Sequence, residues 1–504
     1  MATVVSLLAD DFDALARAAL RQAKLADLVE LRLDRCGHPG EDRLRAFFQE
    51  CPRPTIVTVH GSEAFGDFAG ETGERLELLH AAARAGAAFV DVDRSLSVEL
   101  GEVAGHCSRI VSHHELAGTP DDLPALEESV RQYCYENDLV KLVTHATCAE
   151  DGMRMLRHLR AAPGLIGFCS GAAGSFTRVL APIFGSPFTY AAPMALPGVT
   201  LAPLTAPGQL RLNDLLAAWP PGGPGPGTAV FGVLGNPVRH SWSPRLLGMA
   251  LKAARLDALY LAFEPDDVEA FLALADDENF RGFSVTAPFK EHALSRVDHT
   301  DDDSRAIGAL NTLVREGNGW RGRNTDVAAV REAVEQALSL PGRDVGRPRQ
   351  LSDARVLVLG AGGAARAALQ AVRPAAQFTI AARRFDRAES VASELGARAI
   401  AWEQIASEEY DVLIHCTPAG SQADPGTLVI PAEWIRPGSL VFDAVYRPLR
   451  TPLLLAARDR QCIAVPGGEW FVRQAAAQFH HFTGTEPDAA LLRSTFHTLV
   501  EEER

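Results

Sequence analysis

Residues 356–365 read VLVLGAGGAA, an apolar run that breaks into closely spaced glycines and then into alanines. Val356 to Leu359 have the character of a buried strand, and the alanines that follow that of a helix start. A strand, a glycine turn and a helix in succession form the first step of a parallel α/β fold. Gly360, Ala361, Gly362, Gly363 and Ala364 are candidate cofactor contacts. Small residues let the backbone approach a pyrophosphate, which would rest on the helix N-terminus. The next strand ends at Ala381-Ala382 and continues Arg383-Arg384-Phe385-Asp386-Arg387. An acid at that strand end would serve the ribose hydroxyls of NAD, whereas arginines favour the 2′-phosphate of NADP. An ordinary basic helix start is the blander alternative, and it opposes the helix dipole.

Working upstream, strand candidates recur at 229–234, 259–263, 282–285 and 311–314. An Asn318-Gly319 turn predicts a hairpin into 320–323. Downstream, strands and helices alternate to about residue 465, and a helical region closes the chain. Residues 220–227 read PPGGPGPG. Proline lacks an amide donor and glycine is costly to order, so this stretch is neither helix nor strand. It is the natural linker, separating residues 1–219 from 228–504. The first part holds eight strand candidates, at 3–8, 27–33, 55–59, 88–92, 109–112, 139–144, 165–169 and 188–192, with helical patterns between them. Eight βα units in that length predict an N-terminal (β/α)8 TIM barrel, with an open doubly wound sheet as runner-up.

The chain has 504 residues, which at roughly 150 per domain suggests about three. Its 49 Lys and Arg against 64 Asp and Glu leave a net charge of −15. An acidic chain gains nothing from phosphate counterion release, which argues against nucleic acid as a partner. It has no basic amphipathic face for a membrane, and no apolar run of about 18 residues to span one. The eight cysteines show no Cys-x-x-Cys spacing and read as free thiols. With no basic, apolar leader at the N-terminus, a cytoplasmic location is expected.

In the first part the chemistry sits at strand ends, where barrels carry their sites. Glu30, Arg32 and Asp34 alternate with leucines, so the charged face points into the barrel. A purely structural Glu–Arg pair is the competing explanation. The fifth strand ends Ser112-His113-His114-Glu115, and Lys141 lies inside an apolar sixth strand. Lysine is seldom buried without purpose. Burial disfavours the ammonium, and a neutral amine attacks ketones to form imines. His114 would shuttle protons beside it. Adjacent strand residues point to opposite faces, so a metal site at 113–115 is disfavoured. The residues alone indicate a Schiff-base lyase or aldolase.

The segments VELRLD, VSHHEL, Lys141, SFTRVLAPIFGS and TAPGQ, in that order, resemble type I 3-dehydroquinate dehydratase. The resemblance implies a metal-free barrel in which Lys141 forms the imine and His114 is the acid/base for a syn elimination of water. It implies that Glu30, Arg32, Arg178, Thr205 and Gln209 hold the substrate hydroxyls and carboxylate. His60 stands where the family usually has an arginine, and is the candidate substrate contact there. The family's carboxylate a few residues on, which orients the catalytic histidine, is found only as Glu63, shifted by one.

In the second part, Gly235 to Pro244 read GNPVRHSWSP before a helix, with Ser243 as expected N-cap and Pro244 at N1. Ser284 to Lys290 read SVTAPFK, and Asn311-Thr312 and Asn324-Thr325-Asp326 follow. These motifs resemble shikimate dehydrogenase. The resemblance implies that Ser241 and Ser243 hold the substrate carboxylate and that Thr286, Asn311, Tyr446 and Gln474 hold its ring. Lys290 and Asp326 become the catalytic pair. Thr417 and Gly467 join the glycine turn, Arg383, Arg384 and Arg387 as NADP(H) contacts. Ser284 replaces a usual asparagine, the run from His415 to Pro418 replaces one that usually begins with another, Ala382 replaces a third, and Gly467-Gly468-Glu469-Trp470 stands where a glycine and a methionine are usual near the nicotinamide.

Together the resemblances imply a bifunctional shikimate-pathway enzyme, dehydrating 3-dehydroquinate and then reducing 3-dehydroshikimate with NADPH. The expected organisation is a barrel at 1–219, a linker at 220–227, a substrate lobe at 228–335 completed by helices at about 470–504, and a Rossmann lobe at 336–469. Rivals are a chain active only in its second half, a quinate/shikimate dehydrogenase, and a non-catalytic sensor of similar ligands. Fusion raises the local concentration of the intermediate without implying a tunnel.

Overall fold

The computed structural model describes residues 2–62, 66–195, 204–340 and 350–503. The chain divides into two compact units, Met1–Val230 with Arg255–Phe280, and Phe231–Ala254 with Arg281–Arg504. The 220–227 segment contains no helix or strand. Gly222 and Gly223 take positive φ there (93° and 83°), and Asn279 Nδ2 donates to Pro226 O at 2.8 Å.

The first unit contains β1 (Ala2–Leu8), β2 (Leu28–Arg32), β3 (Thr55–Thr58), β4 (Phe89–Asp93), β5 (Ser108–Glu115), β6 (Leu139–His145), β7 (Ile166–Ser170) and β8 (Phe188–Ala191). They form one sheet in the order β7-β6-β5-β4-β3-β2-β1-β8, curled into a near-closed α/β barrel. Strands buried on both faces, as β2 and β7 are along their whole length, are what a parallel sheet covered by helices requires. Val4, Leu28, Ile56, Ile110, Val143, Phe168 and Tyr190 pack together inside. Two residues further along the same faces, Leu28 gives way to Glu30 and Ile110 to Ser112 and then His114. The apolar floor therefore ends in a charged layer. β5 extends beyond the predicted 112, so His113, His114 and Glu115 are strand residues with alternating orientation.

The second unit takes up β9 (Ala229–Leu234), whereas β10 (Ala258–Phe263) lies in the segment that clusters with the barrel. It continues with β11 (Phe280–Val285), β12 (His299–Thr300), β13 (Thr312–Glu316) and β14 (Gly319–Arg323), in the order β9-β11-β13-β14-β12. The hairpin is present, but its two-residue loop is Gly317-Asn318, since Glu316 pairs with Gly319. Gly317 takes the positive φ (61°) at the first loop position. The predicted Asn-Gly turn is thus displaced by one residue towards the glycine that can adopt it.

A third sheet is fully parallel and comprises β15 (Arg355–Leu359), β16 (Gln377–Ala381), β17 (Arg398–Ile400), β18 (Val412–His415), β19 (Leu440–Asp443) and β20 (Ile463–Val465). Its order, β17-β16-β15-β18-β19-β20, is that of a Rossmann fold, with the switch point at β15/β18. The C-terminal helix Gly468–Thr483 returns to the other sheet of this unit. Gln478 on it donates to Asn311 O at 2.9 Å and accepts from Ser284 Oγ at 2.7 Å.

Candidate active sites

The barrel cavity is lined by Glu30, Arg32, His60, His114, Lys141, Arg178, Thr205 and Gln209, together with Ser6, Phe168 and Tyr190. All eight residues predicted for the first part therefore share one chamber. Parallel register sets Ser112 beside Lys141, which brings His114 and Lys141 to neighbouring inward positions of β5 and β6. Glu63 lies outside the described residues.

Lys141 Nζ is 2.6 Å from Asp91 Oδ2, with both side chains buried, and 4.6 Å from the centre of the Tyr190 ring. Asp91, on β4, is absent from the sequence-derived set. Its signal was the alternation of Asp91 and Asp93 in an apolar strand, the same pattern that singled out β2. Arg32 bonds Asp34 at 2.5 Å, while Glu30 accepts from Thr58 Oγ1 at 2.7 Å. Asp34 additionally accepts the His60 amide at 2.9 Å, tying β2 to the end of β3.

Arg178 is 1% exposed, its guanidinium 4.1 Å over Phe168, with Nε unsatisfied. No ion pair to a carboxylate is formed by it among the described residues. Burial pushes it down to about 10, so it stays cationic at neutral pH. A buried fork-shaped cation facing a cavity is built for a carboxylate. Thr205 Oγ1 and N both contact Gln209 Oε1, at 2.9 and 3.0 Å. His60 is fully buried. Its ring meets that of His114 edge-on at 5.2 Å, Nδ1 is 3.3 Å from Arg75 Nη2, and Nε2 is 3.5 Å from Asp91 Oδ1. Burial, and then nearby cations, hold both histidines well below the ordinary range, so both are neutral at physiological pH.

In the second unit a cavity of about 470 Å³ is lined by Ser241, Ser243, Thr286, Lys290, Asn311, Asp326, Tyr446 and Gln474, the predicted substrate set and catalytic pair, with Ala364 and Gly467. Lys290 Nζ is 2.6 Å from Asp326 Oδ2. Asn324 caps the helix Thr325–Leu338 and thereby sets Asp326 in its first turn. Ser243 is not an N-cap. The helix begins at Ser243 itself, with Trp242 before it and no side-chain cap. Its hydroxyl instead faces Ser241 Oγ at 3.2 Å, because Pro244 fixes the first turn without help from a side chain. Asn311 is committed to Thr325, accepting its amide at 2.9 Å. Tyr446 stacks on Phe471 at 4.5 Å.

The remaining predicted residues lie on the Rossmann sheet's C-terminal edge. Gly360 has φ 119°, and a Cβ there would sit 2.9 Å from Cys416 O. Gly362 opens onto empty space, and a Cβ on Gly363 would contact Lys290 Cδ at 3.5 Å. Arg383 and Arg387 are exposed, and Arg384 pairs with Asp386 at 2.8 Å. Thr417 Oγ1 meets His415 Nε2 at 2.5 Å, and His415 Nδ1 meets Asp443 Oδ1 at 2.9 Å. Sequence reasoning missed Gln478, and it noted Trp470 only as a departure. Trp470 Nε1 donates to Asp326 Oδ1 at 2.7 Å.

Residues 3–219 match the model of the type I 3-dehydroquinase family, 233–313 the shikimate dehydrogenase substrate binding domain, and 344–424 the shikimate/quinate 5-dehydrogenase family. A bifunctional 3-dehydroquinate dehydratase/shikimate dehydrogenase (chloroplastic) of Arabidopsis thaliana is 34% identical over 499 residues, covering 95% of this chain and 81% of that protein. The chain belongs to this bifunctional family. Dehydratase and dehydrogenase domains are both present in it. The NADP(+) shikimate dehydrogenase of Syntrophobacter fumaroxidans is 35% identical over 286 residues, 55% of this chain and 96% of its own. A solved shikimate dehydrogenase in complex with NADP+ matches at 28% identity and a TM-score of 0.50, over 54% of this chain and 96% of that one. Among the described residues no helix is long and apolar enough to cross a membrane.

Proposed function

We propose that Lys141 and His114 dehydrate 3-dehydroquinate and that Lys290 and Asp326 reduce the resulting 3-dehydroshikimate to shikimate with NADPH. We assign residues 1–219 to the dehydratase, 220–227 to the linker, 228–335 with about 470–504 to the substrate lobe, and 336–469 to the cofactor lobe. The observation that carries this reading is a lysine in each cavity, buried for Lys141 and half-buried for Lys290, each held by one buried carboxylate, Asp91 or Asp326.

In the barrel, the Lys141 amine attacks the substrate ketone and water leaves, giving an imine. His114, neutral and therefore able to accept, removes a proton from the carbon next to the imine and returns it to the departing hydroxyl, which leaves as a second water. Water then hydrolyses the imine, so the net change is loss of one water. Arg178 takes the carboxylate, while Glu30, Arg32, His60, Thr205 and Gln209 hold the hydroxyls. Asp91 compensates the lysine's charge whenever it is protonated.

In the dehydrogenase, the site fits an NADP-type cofactor. Glycines at 360, 362 and 363 clear a path to the first turn of the helix Gly363–Ala371, which has no side-chain cap. Arg383 and Arg387 are the cations for a 2′-phosphate, and Thr417 and Gly467 border the same edge. The bound cofactor supplies a hydride to the carbonyl carbon. Lys290 stabilises the developing oxyanion and donates its proton, with Asp326 holding it in place. Ser241 and Ser243 receive the carboxylate, and Thr286, Asn311, Tyr446 and Gln474 the ring. The paired serines favour shikimate over quinate.

The test for the barrel is borohydride treatment in the presence of 3-dehydroquinate. Reduction of the imine should add a stable substrate-derived mass to a peptide containing Lys141. Adduct elsewhere, or none with activity retained, refutes the assignment.

A further inference from the structure

The two oxygens of Asp326 are divided between two donors. Oδ2 takes Lys290 Nζ at 2.6 Å and Oδ1 takes the indole N–H of Trp470 at 2.7 Å. Trp470 lies on the helix Gly468–Thr483, is 6% exposed, and rests against Phe442 with ring centres 6.0 Å apart. It also lines the cavity that holds Lys290. An indole has a single donor and no acceptor, so its direction of bonding is unambiguous. Two donors on opposite oxygens, one of them the buried indole, restrict rotation of the carboxylate about its last bond. Lys290 Nζ, with three hydrogens and one spent on Asp326, then has a fixed direction for those that remain.

Resting on the reading of Lys290 and Asp326 as the proton-transfer pair, we propose that Trp470 is a positioning residue of the dehydrogenase, locking Asp326 so that Lys290 addresses the reacting oxygen. A methionine at this position would have no N–H to offer Asp326, so the lock depends on the indole. The titratable groups facing Asp326 are Lys290 and the Cys416 thiol, which burial pushes up so that it stays neutral. Arg473 and Glu469 on the same helix are paired with each other, and Arg473 also with Glu332.

The test is Trp470→Phe, which keeps a ring and removes the donor, in the full chain. Shikimate oxidation should lose about tenfold or more in kcat with little change in KM. The pH profile of kcat should differ from that of the parent chain, because the pair loses one of the two donors that fix its geometry. The pH dependence of shikimate binding, measured calorimetrically without cofactor, should differ as well, while the dehydratase stays unchanged. Trp470→Gln, which restores an N–H donor, should recover part of the shift. If Trp470→Phe does not fold, Trp470→Met carries the same expectations. A variant with an unmoved pH profile and unmoved binding overturns the proposal and reduces Trp470 to packing. Loss of turnover in Lys290→Ala alongside that outcome leaves the underlying reading intact, whereas retained turnover in Lys290→Ala removes the reading itself.

Discussion

Lys141 of β6 and Asp91 of β4 form a buried ion pair, 2.6 Å between Nζ and Oδ2, across the intervening strand that carries His114. Removing one partner of such a pair strands a charge. Asp91→Asn should therefore destabilise the protein by about 3–5 kcal/mol at neutral pH. Denaturant unfolding measures this. A loss of well under about 1 kcal/mol would mean that the buried pair carries no such stability.

The two activities should separate by single substitutions. Lys290→Ala should lower shikimate oxidation by about 10²–10⁴-fold, the range for a positioned proton donor, while the dehydratase rate is unchanged. Lys141→Ala should do the reverse. Steady-state assays of both half-reactions on each variant decide it.

His60 and His114 should make the protein acid-sensitive. Both are held well below the ordinary histidine range in the folded state by burial first, then by Arg32 and Lys141 for His60 and by Lys141 and His60 for His114. The unfolded chain takes up those protons near pH 6.5, and the folded one does not. Stability is thus complete above about 6.5 and falls as pH drops, by up to about 1.4 kcal/mol per pH unit for each histidine. Urea unfolding at pH 7.5, 6 and 5 should show this slope, and His60→Asn should flatten it.

Coenzyme choice should reside in Arg383 and Arg387. Replacing either with alanine should weaken NADPH by roughly tenfold, about 1.5 kcal/mol for a charge-assisted contact, and leave NADH unaffected. Arg384→Ala should change little, because its guanidinium is already paired with Asp386.

The fold was legible because its signals are local. The glycine turn at 360–363 and the eight barrel strands are dictated by neighbouring residues, and strand alternation placed Glu30, Lys141 and His114 on inward faces. What escaped was partnership across distance. Asp91 is 50 residues from Lys141, and Trp470 is 144 from Asp326. No spacing rule links such pairs until the sheet brings them together. Errors of one position, at the Gly317 turn and the Ser243 helix start, arose where two adjacent residues were each suited to the role and the backbone chose between them.

One chain carrying both domains should perform two consecutive reactions, and a coupled assay from 3-dehydroquinate, with NADPH and then NADH, measures this. Each mole of 3-dehydroquinate should oxidise one mole of NADPH, with shikimate as product, a transient enone absorbance and a much slower rate with NADH. Oxidation of NADPH from added 3-dehydroshikimate but none from 3-dehydroquinate would mean that the barrel folds without catalysing.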